Sequence, residues 1–231
     1  INDINGIKVD PRLRAIDEEQ GRYALVLKAS HKVVDGLAFV NNRGTPAVGR
    51  LQGWASAGMN GALGWRERFQ LGLFTIPTQP QELLYFEGVY SQAVGDDGLN
   101  YSVLVSQSDI DAGSEQDILG IVGATSRVVL RAWYPVIRSS KQNLWVNGIL
   151  QYQDFRETAF DQTTTADRLR VFRANIGDWH VHHRGTTNLF FEVSQGLNIL
   201  DATEVGSSNL SRTDGRSDFT KLNANITRQQ G

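Results

Sequence analysis

Residues 129–155 read "VLRAWYPVIRSSKQNLWVNGILQYQDF", in which two runs of aromatic and branched residues flank the polar segment "RSSKQ" (138–142). This pattern predicts a β-hairpin. Its strands are longer than the roughly 5–6 residues usual in globular domains. They approach the roughly 9–11 residues with which a strand crosses a bilayer. The first question is therefore whether this hairpin lies in water or in lipid.

Side-chain character alternates in neighbouring segments, as it does when the two faces of a strand meet different surroundings. One face of 99–106 carries Leu99, Tyr101, Val103 and Val105, and the opposite face carries Asn100, Ser102 and Ser106. In 141–155 the apolar set is Leu144, Val146, Leu150 and Tyr152, and the other set is Asn143, Trp145, Asn147, Ile149, Gln151 and Gln153. The second alternation is imperfect, since Trp145 and Ile149 lie among the polar residues.

The chain divides into two parts. Residues 1–35 contain the turn signal Asn5-Gly6 and two strand candidates, 8–16 and 22–30, which predict the C-terminal part of a small α+β domain. Residues 36–231 predict an all-β, antiparallel transmembrane barrel fragment of ten strands. These strand candidates are 36–43, 48–59, 66–76, 83–93, 99–108, 123–135, 141–155, 166–179, 186–200 and 217–229.

The connections between these strands alternate in length. Short links are predicted at 95–98, 136–140 and 180–185, and longer polar links at 109–120, 156–165 and 201–215. This alternation is typical of outer-membrane barrels, which have tight periplasmic turns and longer outer loops. Aromatic residues near strand ends, such as Trp133, Trp145 and Trp179, would suit the aromatic girdle of such a barrel. The alternative is that they form the core of a soluble sheet.

The composition narrows the function classes. The chain has 231 residues, a net charge of −2 and no cysteine, so a nucleic-acid partner, a disulfide framework and a thiolate zinc site are disfavoured. No apolar run approaches the 18 residues of a transmembrane helix. The mean hydropathy of −0.31 is compatible with a barrel, because its strands alternate lipid-facing and lumen-facing residues.

Few residues suggest catalysis or metal binding. His180 and His182 would share one face of a strand, but no matching ligand stands at a convincing spacing, which favours a solvated turn. The acidic segment 109–117 lacks the ligand pattern of a calcium loop, and no Gly-x-Ser-x-Gly motif occurs. We therefore expect no enzyme, no metal and no small-molecule cofactor.

One stretch, 34–73, carries a more specific signal. Its first motif comprises Asn42, Arg43, Gly44, Thr45 and Gly49, and its second comprises Leu63, Gly64, Trp65, Arg66 and Glu67. This stretch resembles the junction between the last POTRA module and the first barrel strand in transporters of the two-partner secretion family. The second motif usually ends in Asp in that family, whereas Glu67 stands here.

The resemblance continues along the chain. The hairpin at 134–154, with Pro135 and Arg138, is similar to the family's Tyr-Pro-x-x-Arg hairpin, and 168–176 also looks like the family. Residues 192–202 resemble it through Gln195 and Gly196. No single motif is decisive, but all of them occur in the family's order.

The resemblance implies a sixteen-strand outer-membrane barrel that secretes an unfolded partner exoprotein, of the haemolysin or haemagglutinin type, without ATP. About ten of the sixteen strands are expected here, with the N-terminal module in the periplasm and the gating loop beyond residue 231. Tyr23, Leu25 and Leu27, on the strand at 22–30, are expected to contact the partner by edge pairing. Alternatively, they hold the small module together. Two rival readings remain: another outer-membrane barrel (a porin or barrel-assembly protein) and a soluble β-sandwich binding module.

Overall fold

The computed structural model describes residues 5–17, 20–45, 49–111 and 120–230. No helix in these ranges is long and apolar enough to cross a membrane. Twelve strands occupy them: β1 (Ile7–Asp17), β2 (Arg22–His31), β3 (Val34–Asn41), β4 (Gln52–Asn60), β5 (Glu67–Thr75), β6 (Leu83–Val94), β7 (Leu99–Asp111), β8 (Val122–Arg138), β9 (Gln142–Ala159), β10 (Gln162–His182), β11 (Gly185–Gly196) and β12 (Thr220–Gln230).

The strands form two sheets. β1 and β2 pair as an antiparallel hairpin, and β3 to β12 form a ten-stranded sheet in chain order. Every pair of neighbours in the larger sheet is antiparallel. The ten predicted barrel strands and the two strands before them are therefore confirmed. The hairpin at 129–155 is β8–β9, whose strands have 17 and 18 residues, enough to cross a bilayer.

Because consecutive strands run in opposite directions, their connections alternate between the two ends of the sheet. The turn end carries the connections 61–66, 95–98, 139–141 and 183–184. The loop end carries 42–51, 76–82, 112–121, 160–161 and 197–219. The hairpin β1–β2 joins the sheet at the turn end, where Asn5 donates a hydrogen bond to Ser91 over 3.3 Å.

One predicted long link is wrong. Residues 156–165 belong mostly to β9 and β10, which pair up to Ala159 and Gln162. Only Phe160 and Asp161, with φ of 51° and 58°, form the turn between them. Positive φ at both turn residues matches the twist of a tight hairpin. The polar, threonine-rich composition of this segment belongs to long strands, and β-branched threonine favours that conformation.

The other connections agree better with the sequence. The long link at 201–215 lies within the loop 197–219, and the short link at 95–98 is a tight turn. Three predicted links are shortened, because 109–111 belong to β7, 136–138 to β8, and 180–182 and 185 to β10 and β11. The rest of the first link, 112–119, lies outside the described residues.

The pairing register assigns each residue of the ten-stranded sheet to one of two faces. The polar face carries Asp35, Ser56, Arg68, Gln70, Glu87, Ser102, Ser106, Arg127, Arg131, Asn147, Gln151, Arg173, Asn175, Glu192, Ser194 and Asn223. The apolar face carries Val40, Leu71, Leu73, Phe86, Val103, Val105, Leu130, Val146, Leu150, Phe172, Ile176, Leu189, Phe191, Leu222 and Ile226. The alternation predicted at 99–106 and 141–155 is present in both strands.

Burial is inverted relative to a water-soluble sheet. Gln151 on the polar face is 8% exposed, whereas its neighbour Leu150 on the apolar face is 41% exposed. Asn175 is buried next to exposed Ile176 in the same way. A soluble β-sandwich buries its apolar face against a second sheet. An exposed apolar face behind an interior polar face is the arrangement of a membrane-spanning barrel wall.

The expected aromatic girdle is wrong for three tryptophans. Trp133, Trp145 and Trp179 lie on the polar face by register. Trp145 packs over Gly177, where a Cβ would overlap its indole ring. The Trp145 ring therefore fills interior space beside a glycine, and a position near a strand end does not reveal this.

Candidate functional site

A polar cluster at the turn end links the first three strands of the large sheet. The Arg68 guanidinium donates to both carboxylate oxygens of Asp35, over 2.6 and 2.8 Å. It also donates to Asn60 Oδ1 over 2.6 Å, and Asn60 Nδ2 donates to Asp35 over 2.8 Å. Each member therefore bonds to the other two. Charge-assisted bidentate geometry of this kind is both strong and orienting.

The same cluster connects the sheet to the N-terminal hairpin. Asn60 is buried and donates from Nδ2 to Lys32 O over 3.0 Å and from its backbone N to Val33 O over 2.7 Å. Lys32 N in turn donates to Gly6 O over 2.8 Å. Gly6 has φ of 73°, and a Cβ there would lie 2.6 Å from both Asn60 Cβ and Lys32 O. This position therefore requires glycine.

Replacing Arg68 by methionine is expected to lower the free energy of unfolding by about 2 kcal/mol, because hydrogen bonds to charged groups contribute about 1.5–3 kcal/mol. The loss of unfolding free energy stays in this range because the Arg68 and Asp35 side chains both retain some contact with solvent. Urea titration of the full-length protein in lipid vesicles measures it. The double variant Arg68→Met/Asp35→Asn should be less destabilised than the two single changes summed, since neither leaves an unpaired charge behind. Additive losses would contradict the coupling.

The second motif of the resemblance forms the turn next to this cluster. The Glu67 carboxylate is fully buried and accepts hydrogen bonds from Leu63 N over 2.6 Å and Trp65 N over 2.9 Å. Gly64 and Arg66 have φ of 79° and 61°. Glutamate in place of the family's usual aspartate thus still reaches two backbone N–H groups of the turn, and its charge is satisfied there.

The first motif lies at the loop end. Asn42 and Arg43 are exposed, and Gly44 N donates to Arg50 O over 3.0 Å. Gly49 has φ of 98°, and a Cβ there would lie 2.5 Å from Ile76 Cγ2. The motif therefore packs the β3–β4 loop against the β5–β6 loop, and residues 46–48 lie outside the described part.

Pro135 and Arg138 lie beside the turn 139–141. Pro135 was expected at a strand end, where a missing N–H is harmless. It instead lies inside β8 at a bulge between Pro135 and Ile137, which is another site that tolerates proline. Arg138 lies over the Trp133 ring with its Cζ 5.9 Å from the centroid.

Gln195 and Gly196 end β11. Gly196 N donates to Phe219 O over 2.7 Å, and a Cβ on Gly196 would overlap Ser217 O. Gln195 accepts a hydrogen bond from Thr220 Oγ1 over 2.6 Å. Both residues therefore hold the two ends of the loop 197–219 together.

The polar face carries a hydrogen-bonded network across β8 to β11. Gln151 Oε1 accepts from Arg173 over 2.9 Å and from Arg127 over 3.4 Å. Asn147 donates to Asn175 over 2.7 Å, and Asn175 donates to Glu192 over 3.2 Å. Cross-strand polar pairs of this kind make this face of the sheet hydrophilic.

A concavity of about 680 Å³ opens on the polar face at the turn end. Arg66, Arg131 and Arg138 line it, together with Asp96. Arg66 donates to Asp96 over 3.2 Å and to Gly95 O over 2.8 Å. Three guanidinium groups against one carboxylate make this mouth of the polar face cationic.

The histidines of "HVHH" stack on each other. The His180 and His182 rings lie 4.2 Å apart between centroids and are inclined by 7°. Within the described ranges, no group of three or more histidine, aspartate or glutamate residues is arranged to hold a metal ion.

Tyr23, Leu25 and Leu27 project from one face of β2 and are exposed. Leu13, opposite Leu25 on β1, is exposed as well. Across the described residues, β2 pairs only with β1, which leaves its second edge open.

Sequence reasoning missed two bonded arginines, half-buried Arg68 and buried Arg170. Arg170 donates to Asp154 over 2.7 Å and to Leu200 O over 3.0 Å, and its Cζ lies 3.4 Å from the centroid of the Tyr152 ring. The available signal was a charged residue flanked by Leu169 and Val171 inside a predicted strand. On the loop 197–219, to which Leu200 belongs, hydrogen bonds from Arg216 hold the pKa of Asp218 below its ordinary value.

Comparison with known proteins decides the family. A sequence model described as "Haemolysin secretion/activation protein ShlB/FhaC/HecB" matches residues 24–231. The chain belongs to this family. The resemblance to two-partner secretion transporters is therefore confirmed, and the protein is an outer-membrane protein with a β-barrel fold. No curated protein sequence matches significantly.

Solved structures agree on the fold. CdiB from Escherichia coli matches with a TM-score of 0.72 at 16% identity, over 96% of this chain and 42% of that one. CdiB from Acinetobacter baumannii matches with a TM-score of 0.52 at 15% identity, over 82% of this chain and 37% of that one. The ShlB-family chain thus spans less than half the length of these relatives.

Proposed function

We propose that this chain is part of a transporter that secretes a partner exoprotein across the bacterial outer membrane, through the lumen of its barrel and without ATP. The family match over 24–231 supports the proposal. The inverted sheet supports it further, because its interior face is polar and hydrogen-bonded. A polar lumen suits an extended polypeptide, whose backbone groups must remain solvated.

The positions of the cationic mouth and the hairpin support transport from the turn end toward the loop end. Both lie at the turn end, and short turns are periplasmic in outer-membrane barrels. The N-terminal module is accordingly periplasmic, and residues 1–35 are the end of a POTRA module. An unfolded exoprotein would meet β2 and the arginine-lined mouth before it enters the lumen.

Site-specific photo-crosslinking tests the route. A photoreactive residue replaces Arg131 on the polar face or, as the matched control, Leu130 on the apolar face of the same strand. The full-length transporter is loaded with a partner exoprotein fused to a tightly folded domain that stalls export. We expect a crosslink to the exoprotein from position 131 and none from position 130. Equal crosslinking from both positions, or from neither, would reject passage along the polar face.

Partner capture by β2 predicts that Leu25→Ser weakens binding of the exoprotein about tenfold, because burying a leucine contributes about 1.5–3 kcal/mol. Binding of unfolded exoprotein to the full-length transporter in detergent measures the effect. Leu13→Ser, on β1 opposite Leu25, is the control and should change binding little. If both variants lose binding and thermal stability together, these leucines only hold the module together.

A further inference from the structure

The apolar face of the sheet becomes polar and charged near the loop end of β9 and β10. Leu150 and Phe172 still belong to the exposed apolar face. Two residues further toward the loop end on the same face lie Tyr152 and Arg170, which pair with each other. A concavity of about 440 Å³ begins there, and its lining includes Tyr152, Asp154, Arg156, Arg168, Arg170 and Asp201. The concavity thus borders the lipid-facing surface and does not face the lumen.

The arginines that line this concavity differ in whether another side chain already binds them. The positive charge of Arg170 is matched by Asp154, and its side chain is only 2% exposed. Arg156 and Arg168 are exposed, and neither side chain has a hydrogen bond or ion pair within the described part of the chain. Asp201 also lines the site, and Glu204 lines an adjoining concavity with Arg168.

The register brings Arg156 and Arg168 together, with Asp154, the partner of Arg170, directly opposite Arg168. Arg156 pairs with Ala166, so Arg168 is its diagonal neighbour on the same face. Diagonal neighbours stand roughly 7–8 Å apart at the backbone, close enough for two long side chains to hold one tetrahedral anion. Guanidinium groups match the oxygens of phosphate bidentately.

We propose that Arg156 and Arg168 bind a phosphate on the headgroup of a glycolipid in the outer leaflet, whose acyl chains lie on Leu150 and Phe172. Position favours this occupant: a free anion needs no apolar surface beside it, whereas a lipid does. The placement in the outer leaflet rests on the proposed function, which puts the loop end outside the cell. The loop 197–219 forms one wall of the site, because Leu200 O is fixed by Arg170.

Lipid retention by the full-length transporter tests the proposal. The protein is purified from outer membranes in mild detergent, and bound phosphorylated glycolipid per barrel is counted by native mass spectrometry. The variant R156Q/R168Q should retain at least tenfold less. The control R127Q/R131Q removes the same charge from β8 on the polar face and should retain as much as the wild type. R168K keeps the charge but loses the bidentate fork, and we expect an intermediate level.

Three results would overturn the site. One is that R156Q/R168Q retains as much glycolipid as the wild type, while its migration on unheated gels shows that the barrel is folded. Another is equal retention of a glycolipid from which the phosphates have been removed. The third is inorganic phosphate alone stabilising the barrel as much as the glycolipid does, which would assign the arginines to a free anion. Failure of exoprotein secretion in the crosslinking experiment leaves the lipid measurement interpretable, because lipid retention requires only an inserted barrel.

Discussion

Arginine at position 191 is expected to destabilise the barrel by about 2–4 kcal/mol relative to alanine at the same position. Phe191 is 44% exposed on the apolar face, near the middle of β11 (Gly185–Gly196). A cation facing lipid at mid-depth has this effect in transmembrane barrels. The free energy of unfolding in urea, measured for the full-length protein in lipid vesicles, gives the difference between Phe191→Arg and Phe191→Ala. The alanine reference removes the loss of aromatic packing from the comparison.

Phe190 supplies the matched control. It has the same side chain at the same depth and is 37% exposed, but it lies on the polar face opposite Asn225. Arginine relative to alanine should be close to neutral there, because the side chain meets the polar lumen and Glu192 lies two residues along the same face. A soluble β-sandwich would also penalise arginine at 191, because its apolar face packs against a second sheet, so the pair tests which face is apolar, and the vesicle-inserted state tests the membrane. Equal penalties at 190 and 191 would contradict a sheet with one lipid-facing and one lumen-facing side.

The strands and their faces were predictable because both are local properties. The alternation of Leu99, Tyr101, Val103 and Val105 with polar residues has period two, and the pleat of a strand turns that period directly into two faces. The register confirms those faces. The sequence pattern does not reveal which face is interior, and here it is the polar one.

The miss at 156–165 has a physical cause. Polarity was taken to indicate a loop, yet β10 has 21 residues. Since a strand crosses a bilayer with roughly 9–11 residues, the polar end of β10 need not face lipid. Outside lipid, a strand needs no apolar side chains, so polarity no longer separates loop from strand. Threonines at 163–165 were the signal that favoured strand.

The long-range bonds of Arg68 and Arg170 were beyond local reasoning. Asp35 and Arg68 are 33 residues apart in sequence, and Arg170 bonds to Leu200 O across 30 residues. From its sequence neighbours, each arginine is predicted to be a solvent-exposed charge, because those neighbours do not indicate which distant strand or loop contacts it. Such pairs follow from the register, which depends on turn geometry along the whole chain.

Replacing Arg170 by methionine is expected to release the loop 197–219 from the sheet and to lower the free energy of unfolding by about 3 kcal/mol. Breaking a buried ion pair costs about 3–5 kcal/mol, and partial exposure of Asp154 places this case at the lower end. Leu200 has φ of 50°, a left-handed conformation that is unfavourable for leucine, and Asp201, with φ of 58°, tolerates it better. The bonds from Arg170 to Leu200 O help to offset that strain, and the variant loses them. Limited proteolysis of the full-length protein in vesicles should therefore cut the loop faster in the variant.

Arg168→Met is the matched control, because Arg168 lies on the same face two residues away, and its exposed side chain makes no hydrogen bond or ion pair with the described part of the chain. Its backbone bonds to Thr203 remain, so loop cleavage and unfolding should stay near the wild-type values in vesicles that contain no glycolipid. The double variant Arg170→Met/Asp154→Asn should regain part of the unfolding free energy, because it no longer leaves a carboxylate without its cation. It should not regain protease resistance, since the bonds to Leu200 O are still missing. Recovery of both quantities together would show that charge balance, and not the anchoring of Leu200, holds the loop against β10.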